Sequence, residues 1–307
     1  MRYFDLHCDS ITNCALEGRE LYKNSLFVSL ERTECFKPWV QVFAVWIPDG
    51  IRGEAAAARF DSVYSVFKSE LKKNQERISF CRSGAEMKTA FEKGRNAAFL
   101  SIEGGAALCG DIGRLYDAFD KGVRMITLTW NGSCELGDGC MVKDAGGLTA
   151  FGREAVRGMA KLGMIIDVSH LSEQGFYDVA QETDRPFVAS HSNARAVCPN
   201  PRNLDDGQIK EIIRRGGLIG LNLYPPFINN SGQTQLCDIV PHAGHLLSIG
   251  GEKALSLGAD FDGADMPDGV SGIEDMAKLY NILTQSYNKT TAERIFFDNA
   301  YDFFVNL

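Results

Sequence analysis

Apolar residues in this chain come in short runs: YFDLH (3–7), VQVFAVWI (40–47), NAAFLSIE (96–103), RMITLTW (124–130), MIIDVSH (164–170), PFVASH (186–191), GGLIGLNL (216–223) and ALSLGAD (254–260). Between most of them lie segments with helical periodicity: 54–74, 84–93, 112–121, 150–162, 173–182, 205–215 and 239–249. In the first of these, Ala57, Phe60, Val63, Phe67 and Leu71 fall on one stripe. Two more helical stretches, 272–285 and 290–305, follow the last run. The runs are apolar almost throughout, as parallel strands covered on both faces must be. Strands alternating with helices in this number predict an α/β fold, a (β/α)8 TIM barrel spanning residues 1–307 as one domain, with extra C-terminal helices. A doubly wound open sheet is the alternative. No GxGxxG follows the first run, so dinucleotide binding has no motif here. The segment NGSCELGDGCMVKDAGG (131–147) reads as a long loop hanging over the mouth of the barrel.

The polar residues that interrupt this pattern sit at the C-terminal ends of the strands, where barrel enzymes keep their chemistry. The first run ends in His7 and Asp9, two positions apart and therefore on one face, with Cys8 on the other. The third ends in Glu103, the fifth in His170, the sixth in His191 and the last in Asp260. On the fifth run Ile166 and Val168 share the face of His170, leaving Asp167 and Ser169 opposite. Singly, each polar residue reads as a cap, a turn or a hydrogen-bonded core group. Together at one end of one barrel they read as a site. Several carboxylates buried together without a cation cost many kcal/mol. A divalent metal pair removes that cost, and imidazoles with carboxylates and no clustered thiolates suit zinc, with manganese, cobalt or iron as alternatives.

Net charge narrows the partners. With 32 basic and 40 acidic residues the chain carries −8, which argues against nucleic acid or an anionic membrane surface. No stretch of apolar residues is long enough to span a bilayer, and no signal-peptide pattern opens the sequence. The nine cysteines are scattered and form no CxxC pair, so they read as reduced thiols in a cytoplasmic protein.

The motifs HCD, IEGG, DVSH, SHSNARAVCPNPRN and GADFDG occur in this order along nearly the whole chain. In these the sequence resembles the membrane (renal) dipeptidase family, the M19-type metallopeptidases of the amidohydrolase superfamily, and is similar to its soluble bacterial members. The resemblance implies a binuclear zinc site. His7 and Asp9 would hold one ion, His170 and His191 the other, and Glu103 would bridge them. Asp260 would be the acid/base, and Arg202 would meet the substrate's terminal carboxylate, for which its planar fork is suited. The implied reaction is hydrolysis of dipeptides, those with a D-residue at the C-terminal position included, by a homodimer. An amidohydrolase acting on another small amide, lactam or ester is the alternative, and an inactive metal-binding relative is a third reading.

One position departs from the family pattern. The fourth run reads TLTWN, with Trp130 where the family has a histidine. Asn131, next in sequence, is a candidate substrate-binding amide, and Trp130 reads as packing at the mouth. His242 and His245 lie three apart in a helical segment with no carboxylate in a recognised pattern, and read as structural.

Overall fold

The first strand, β1 (Tyr3–Cys8), pairs in parallel with its successor β2 (Trp39–Trp46) on one side and with the last strand of the chain on the other. That pairing brings the first and last strands of the chain side by side. The computed structural model describes residues 1–307. After β2 come β3 (Ile78–Phe80), β4 (Asn96–Glu103), β5 (Val123–Thr127), the two short hairpin strands β6 (Ser133–Cys134) and β7 (Gly137–Asp138), then β8 (Ile165–Asp167), β9 (Ile219–Leu221) and β10 (Leu255–Leu257). The hydrogen-bonded order is β8-β5-β4-β2-β1-β10-β9. Every pair within it is parallel.

The gap between β8 and β9 is filled by the sixth apolar run. It is not a regular strand. It touches its neighbours through single bridges, Val188 with Asp167 and Ala189 with Ile219. The reason lies in how closely it is gripped. A Cβ on Gly220 or Gly258 would stand 1.9 or 1.7 Å from the Ser190 carbonyl oxygen, so only glycine lets the adjacent strands approach. Ser190 N–H is moreover taken by the Asp167 side chain rather than by a ladder carbonyl. The barrel expected from the sequence is therefore present, with one stave held partly by side chains.

Two hydrophobic clusters divide the molecule. The smaller fills the barrel interior with Phe4, Leu6, Val40, Val42, Phe99 and Met125, and is closed from below by Phe297, Ala300 and Phe304. The larger packs the outer faces of the strands against the helices, Ala98, Leu100 and Ile102 meeting Phe60 and Ala107 among others. Helices lie at 53–73, 84–92, 112–120, 150–162, 173–182, 206–214 and 240–248, each within a residue or so of the periodic segments. The C-terminal stretch runs as an α-helix to Glu293, a π-helical turn over Arg294–Asp298 and a final helix over Asn299–Phe304. The π turn places Phe296 in the outer cluster and Phe297 in the inner one.

Several short elements were not expected from the sequence: the helices Ser10–Glu17 and Pro225–Ile228, β3, and the β6–β7 hairpin inside the segment 131–147 read as a loop. The helix Ser10–Glu17 carries no long apolar stripe and is held by burial of Ser10, Ile11, Thr12 and Cys14. β3 pairs with the first half of the β4 edge whose second half pairs with β5. Three residues are too few for periodicity to register.

Candidate metal centre

Interior positions of β1 alternate, Phe4 and Leu6 facing in. Strict alternation would send His7 outward. Between Asp5 and Cys8 the register slips, three steps on β1 matching two on β2, Gln41 to Phe43. This bulge turns His7 into the barrel and Cys8 into the outer cluster. Asp5 supports the bulge: its buried carboxylate accepts from Tyr3 Oη at 2.6 Å and from the backbone N–H groups of His7 and Ala259. Burial pushes its pKa up to about 6 against those hydrogen bonds.

His170 and Asp260 are not aimed by strand alternation. β8 ends at Asp167 and β10 at Leu257, and both site residues lie beyond, at φ +67° and +65°. Non-glycine residues adopt this left-handed region only at a cost, and such strain gathers at functional sites. His170 thus reaches the cluster through a left-handed turn beyond β8, not through the strand face it was expected to share with Ile166 and Val168. Gly263 completes the turn after Asp260. A Cβ there would lie 2.2 Å from Asp9 Oδ2 and 2.6 Å from Asp260 Oδ1.

The six residues converge. His7 Nε2 lies 3.4 Å from Asp9 Oδ2, 3.5 Å from Glu103 Oε2 and 3.7 Å from Asp260 Oδ1. The other Glu103 oxygen, Oε1, lies 2.8 Å from His170 Nε2 and 3.5 Å from His191 Nε2. His7 and His191 are fully buried, and Glu103 is 3 % exposed. Glu103 therefore offers one oxygen to each half of the site. Two overlapping donor groups share His7: His7, Glu103 and His191, and His7, Asp9 and Asp260.

The donor chemistry fits divalent cations. Neither ring nitrogen of His7 has a hydrogen-bond partner, nor does Asp9 Oδ1, though all are buried. Orphaned buried polar atoms of this kind are costly unless an ion completes them. On the other side, His170 Nδ1 meets Asn131 Oδ1 at 2.8 Å and His191 Nδ1 meets Ser190 Oγ at 2.7 Å. Both rings so direct Nε2 to the centre. Burial, aided by Arg202 and the neighbouring imidazoles, holds the pKa values of His170 and His191 well below the ordinary histidine value. Burial would do the same to His7, but Glu103 and Asp9 more than offset it and raise that ring. Burial pushes Glu103 up to about 7, with the His7 ring opposing. No thiol takes part.

Asp260 is held by a residue the sequence reading passed over. Asn222 Nδ2 donates to Asp260 Oδ2 at 3.1 Å, leaving Oδ1 toward His7. Burial pushes the Asp260 carboxyl up, Asp9 adds to this, and His7 and Arg202 oppose it. Asn222 stands next to last in the run GGLIGLNL (216–223), so its place near a strand end was the available signal. Asp262, in the same motif as Asp260, accepts the backbone N–H groups of Phe27 and Val28 and pins that loop beside the site. Asp167, on the face opposite His170 in the sequence, is buried and accepts four hydrogen bonds, from Thr127, Ser169 and Ser190.

Above the six residues opens a cavity of about 640 Å³ lined by Trp46, Trp130, Asn131, Tyr224, Phe227 and the site itself. Trp130 packs edge-to-face on Trp46, ring centroids 5.2 Å apart. Arg202 does not line this cavity; it is 4 % exposed, and its guanidinium stands 5.2 Å from the ring centroid of Phe227, which does. It donates to Ser192 Oγ and His191 O, and Nε has no partner. Asn131 lines the cavity, but its carbonyl oxygen is engaged by His170. A larger cavity, about 1210 Å³, lies at the opposite end among Arg2, Arg124, Arg185 and Lys253, where the strands begin, and holds none of these residues. His242 is a buried structural bond-maker, receiving Ala194 N–H and meeting the Ile228 carbonyl; His245 pairs with Asp206.

Comparison with known proteins places this arrangement. Residues 1–303 match the membrane dipeptidase family, peptidase family M19. A protein encoded in the pqqA 5′ region of Klebsiella pneumoniae is 34% identical over 246 residues, 76% of this chain and 91% of its own. Among solved structures, dipeptidase AC, a family M19 metallopeptidase, superposes with a TM-score of 0.91 at 27% identity, covering 98% of this chain and 97% of its own. A metallopeptidase from Rhodobacter sphaeroides, liganded with a phosphinate mimic of the dipeptide L-Ala-D-Ala, gives 0.91 at 26% identity and 98% of each chain. The chain belongs to the membrane dipeptidase family, peptidase family M19, and is a metallo-dipeptidase.

Proposed function

We propose that the protein is a zinc-dependent dipeptidase of the cytoplasm that hydrolyses the single peptide bond of dipeptides, including those ending in a D-residue. The observation that carries this reading is the division of Glu103 between His7 on one side and His170 with His191 on the other. His7 and Asp9 would hold one ion, His170 and His191 the second, with Glu103 between them. Bound there, a divalent pair supplies an activated water and polarises the scissile carbonyl.

The remaining work falls to the chain. Arg202 receives the substrate's terminal carboxylate, for which its buried, partly unpaired guanidinium is prepared. An unpaired Nε on a guanidinium that packs against the cavity residue Phe227 favours a substrate with a free carboxylate over other small amides. Asp260 accepts the proton lost by the attacking water and delivers it to the departing amine as the C–N bond breaks. With Oδ2 held and Oδ1 facing the centre, the carboxyl is placed to take and then give a proton. Asn222 keeps one of its oxygens fixed while the other faces the reaction. The Trp46–Trp130 wall bounds the cavity where the substrate's side chains lie. The nine free cysteines support a reducing compartment.

The test is hydrolysis of an L-L and L-D dipeptide panel by metal-stripped protein with and without zinc. Zinc-restored cleavage is expected. No cleavage with metal bound would move the reading to another amide, lactam or ester.

A further inference from the structure

Asp167 lies outside the set of residues that the reaction uses, yet it is fully buried and accepts four hydrogen bonds. The two sides of its carboxylate are occupied differently. Oδ1 receives the backbone N–H groups of Ser169 at 3.0 Å and Ser190 at 2.9 Å. Oδ2 receives the hydroxyls of Thr127 and Ser190, each at 2.6 Å. A carboxylate only accepts. The Ser190 proton is thereby committed to Asp167. The Ser190 oxygen then has only lone pairs to offer His191 Nδ1, 2.7 Å away. His191 must donate from Nδ1, and its Nε2 faces Glu103 and His170 as a bare lone pair.

We propose that Asp167 is a positioning residue which, through Ser190, fixes His191 in the Nδ1–H tautomer and so makes Nε2 available to a metal ion. The proposal rests on the reading of His191 as a ligand. Asp167 never touches the centre; it sets the direction of a two-bond chain that ends there. Partners that hold the second nitrogen of a ligand histidine act in this way on tautomer, orientation and basicity. At His170 the same direction is imposed by the carbonyl oxygen of Asn131.

Asp167→Asn gives a test whose sign is dictated by geometry. The two backbone N–H groups still require an acceptor, so the amide oxygen must take the Oδ1 place. The amide nitrogen then faces the hydroxyls of Thr127 and Ser190, and its two hydrogens match these two oxygens. Ser190 becomes an acceptor on that side, and its own proton turns to His191 Nδ1 at 2.7 Å, the nearer of its two remaining neighbours, Ser169 Oγ lying at 3.4 Å. The ring must switch to Nε2–H, which blocks the ligand atom. The substitution keeps shape and hydrogen-bond count, so the fold is retained. Ser190→Ala removes the chain without reversing it.

Nitrogen chemical shifts of 15N-histidine in the metal-free protein report the tautomer directly. Wild type is expected to show His191 as Nδ1–H and Asp167→Asn as Nε2–H. Zinc affinity, measured by competition with a chromophoric chelator, is expected to fall about 10- to 100-fold in Asp167→Asn, the usual cost of such partners, and less in Ser190→Ala. An Nε2–H ring in wild type overturns the proposal and needs no variant to fold. Unchanged affinity in a folded Asp167→Asn protein also overturns it. A wild-type protein that binds no zinc would instead remove the metal reading beneath it.

Discussion

The Nε2 atoms of His170 and His191 lie 2.9 Å apart. Each ring meets a partner at Nδ1, and burial keeps both below the ordinary histidine pKa. Two bare lone pairs facing each other beside a shared carboxylate oxygen are relieved by a cation. Metal removal should therefore destabilise the fold as well as stop turnover. Stabilisation by a ligand at a hundred times its Kd is about 2.7 kcal/mol. Thermal unfolding with chelator and with zinc reads this as a drop and a recovery of the midpoint. Equal midpoints would remove the metal from the folding balance.

Asp260→Asn should separate proton transfer from metal holding. The amide keeps the shape beside Asn222 but cannot carry a proton between water and amine. Turnover is expected to fall by at least about 100-fold, the low end of general acid–base contributions. Metal content by elemental analysis should stay near wild type. A variant that turns over normally would strip Asp260 of its role.

Arg202→Met removes the fork and keeps the apolar stem against Phe227. A charge-assisted hydrogen bond contributes about 1.5–3 kcal/mol, so kcat/KM on dipeptides should fall roughly 10- to 100-fold. A dipeptide amide, which has no terminal carboxylate, should be handled alike by both proteins. Equal losses on the two substrates would show that Arg202 supports the site rather than the carboxylate.

Trp130→Ala should enlarge the cavity without disturbing the ligands. Trp130 meets Trp46 edge-to-face and its ring centroid is 6.2 Å from that of His170. The ratio of kcat/KM values for bulky and small dipeptides is expected to move toward the bulky by about 10-fold, the scale of shape changes in apolar pockets. Metal content should not change. A constant ratio would place Trp130 outside the specificity wall.

Away from the site, Glu211 ties two helices together. It accepts from both Arg214 and Arg215, and Arg215 in turn donates to the Ala180 and Thr183 carbonyls at the end of the helix 173–182. The hydrogen bonds from Arg214 lead in lowering its carboxyl to about 2, against partial burial. A folded pKa below the unfolded value gives stability that is present above about pH 4.5 and lost as pH falls toward about 2. Glu211→Gln should cost up to about 1 kcal/mol at neutral pH, allowing for solvent screening. Urea titrations of both proteins should converge near pH 2. A gap that persists there would have another origin than charge.

Much of the site was legible because barrel chemistry sits where strands end. His7, Asp9, Glu103, His170, His191 and Asp260 are polar residues at the ends of apolar runs, and that pattern survives without knowledge of contacts. Helix positions followed from periodicity in the same way. The partners of these residues were not legible. Asn222 and Ser190 are single polar residues in apolar runs, and one sequence does not say which of many such residues meets which ligand.

What the sequence by itself determined is the alternation of elements, the barrel they build and the donor types gathered at its mouth, because these depend on local hydrophobic pattern and on strand order. What only the tertiary structure decided is how those donors are aimed. The bulge in β1 turns His7 inward, left-handed turns present His170 and Asp260, and the stave at 186–191 is held by the Asp167 carboxylate. Each of these depends on which strands become neighbours and how closely they approach, a long-range outcome that no local pattern encodes.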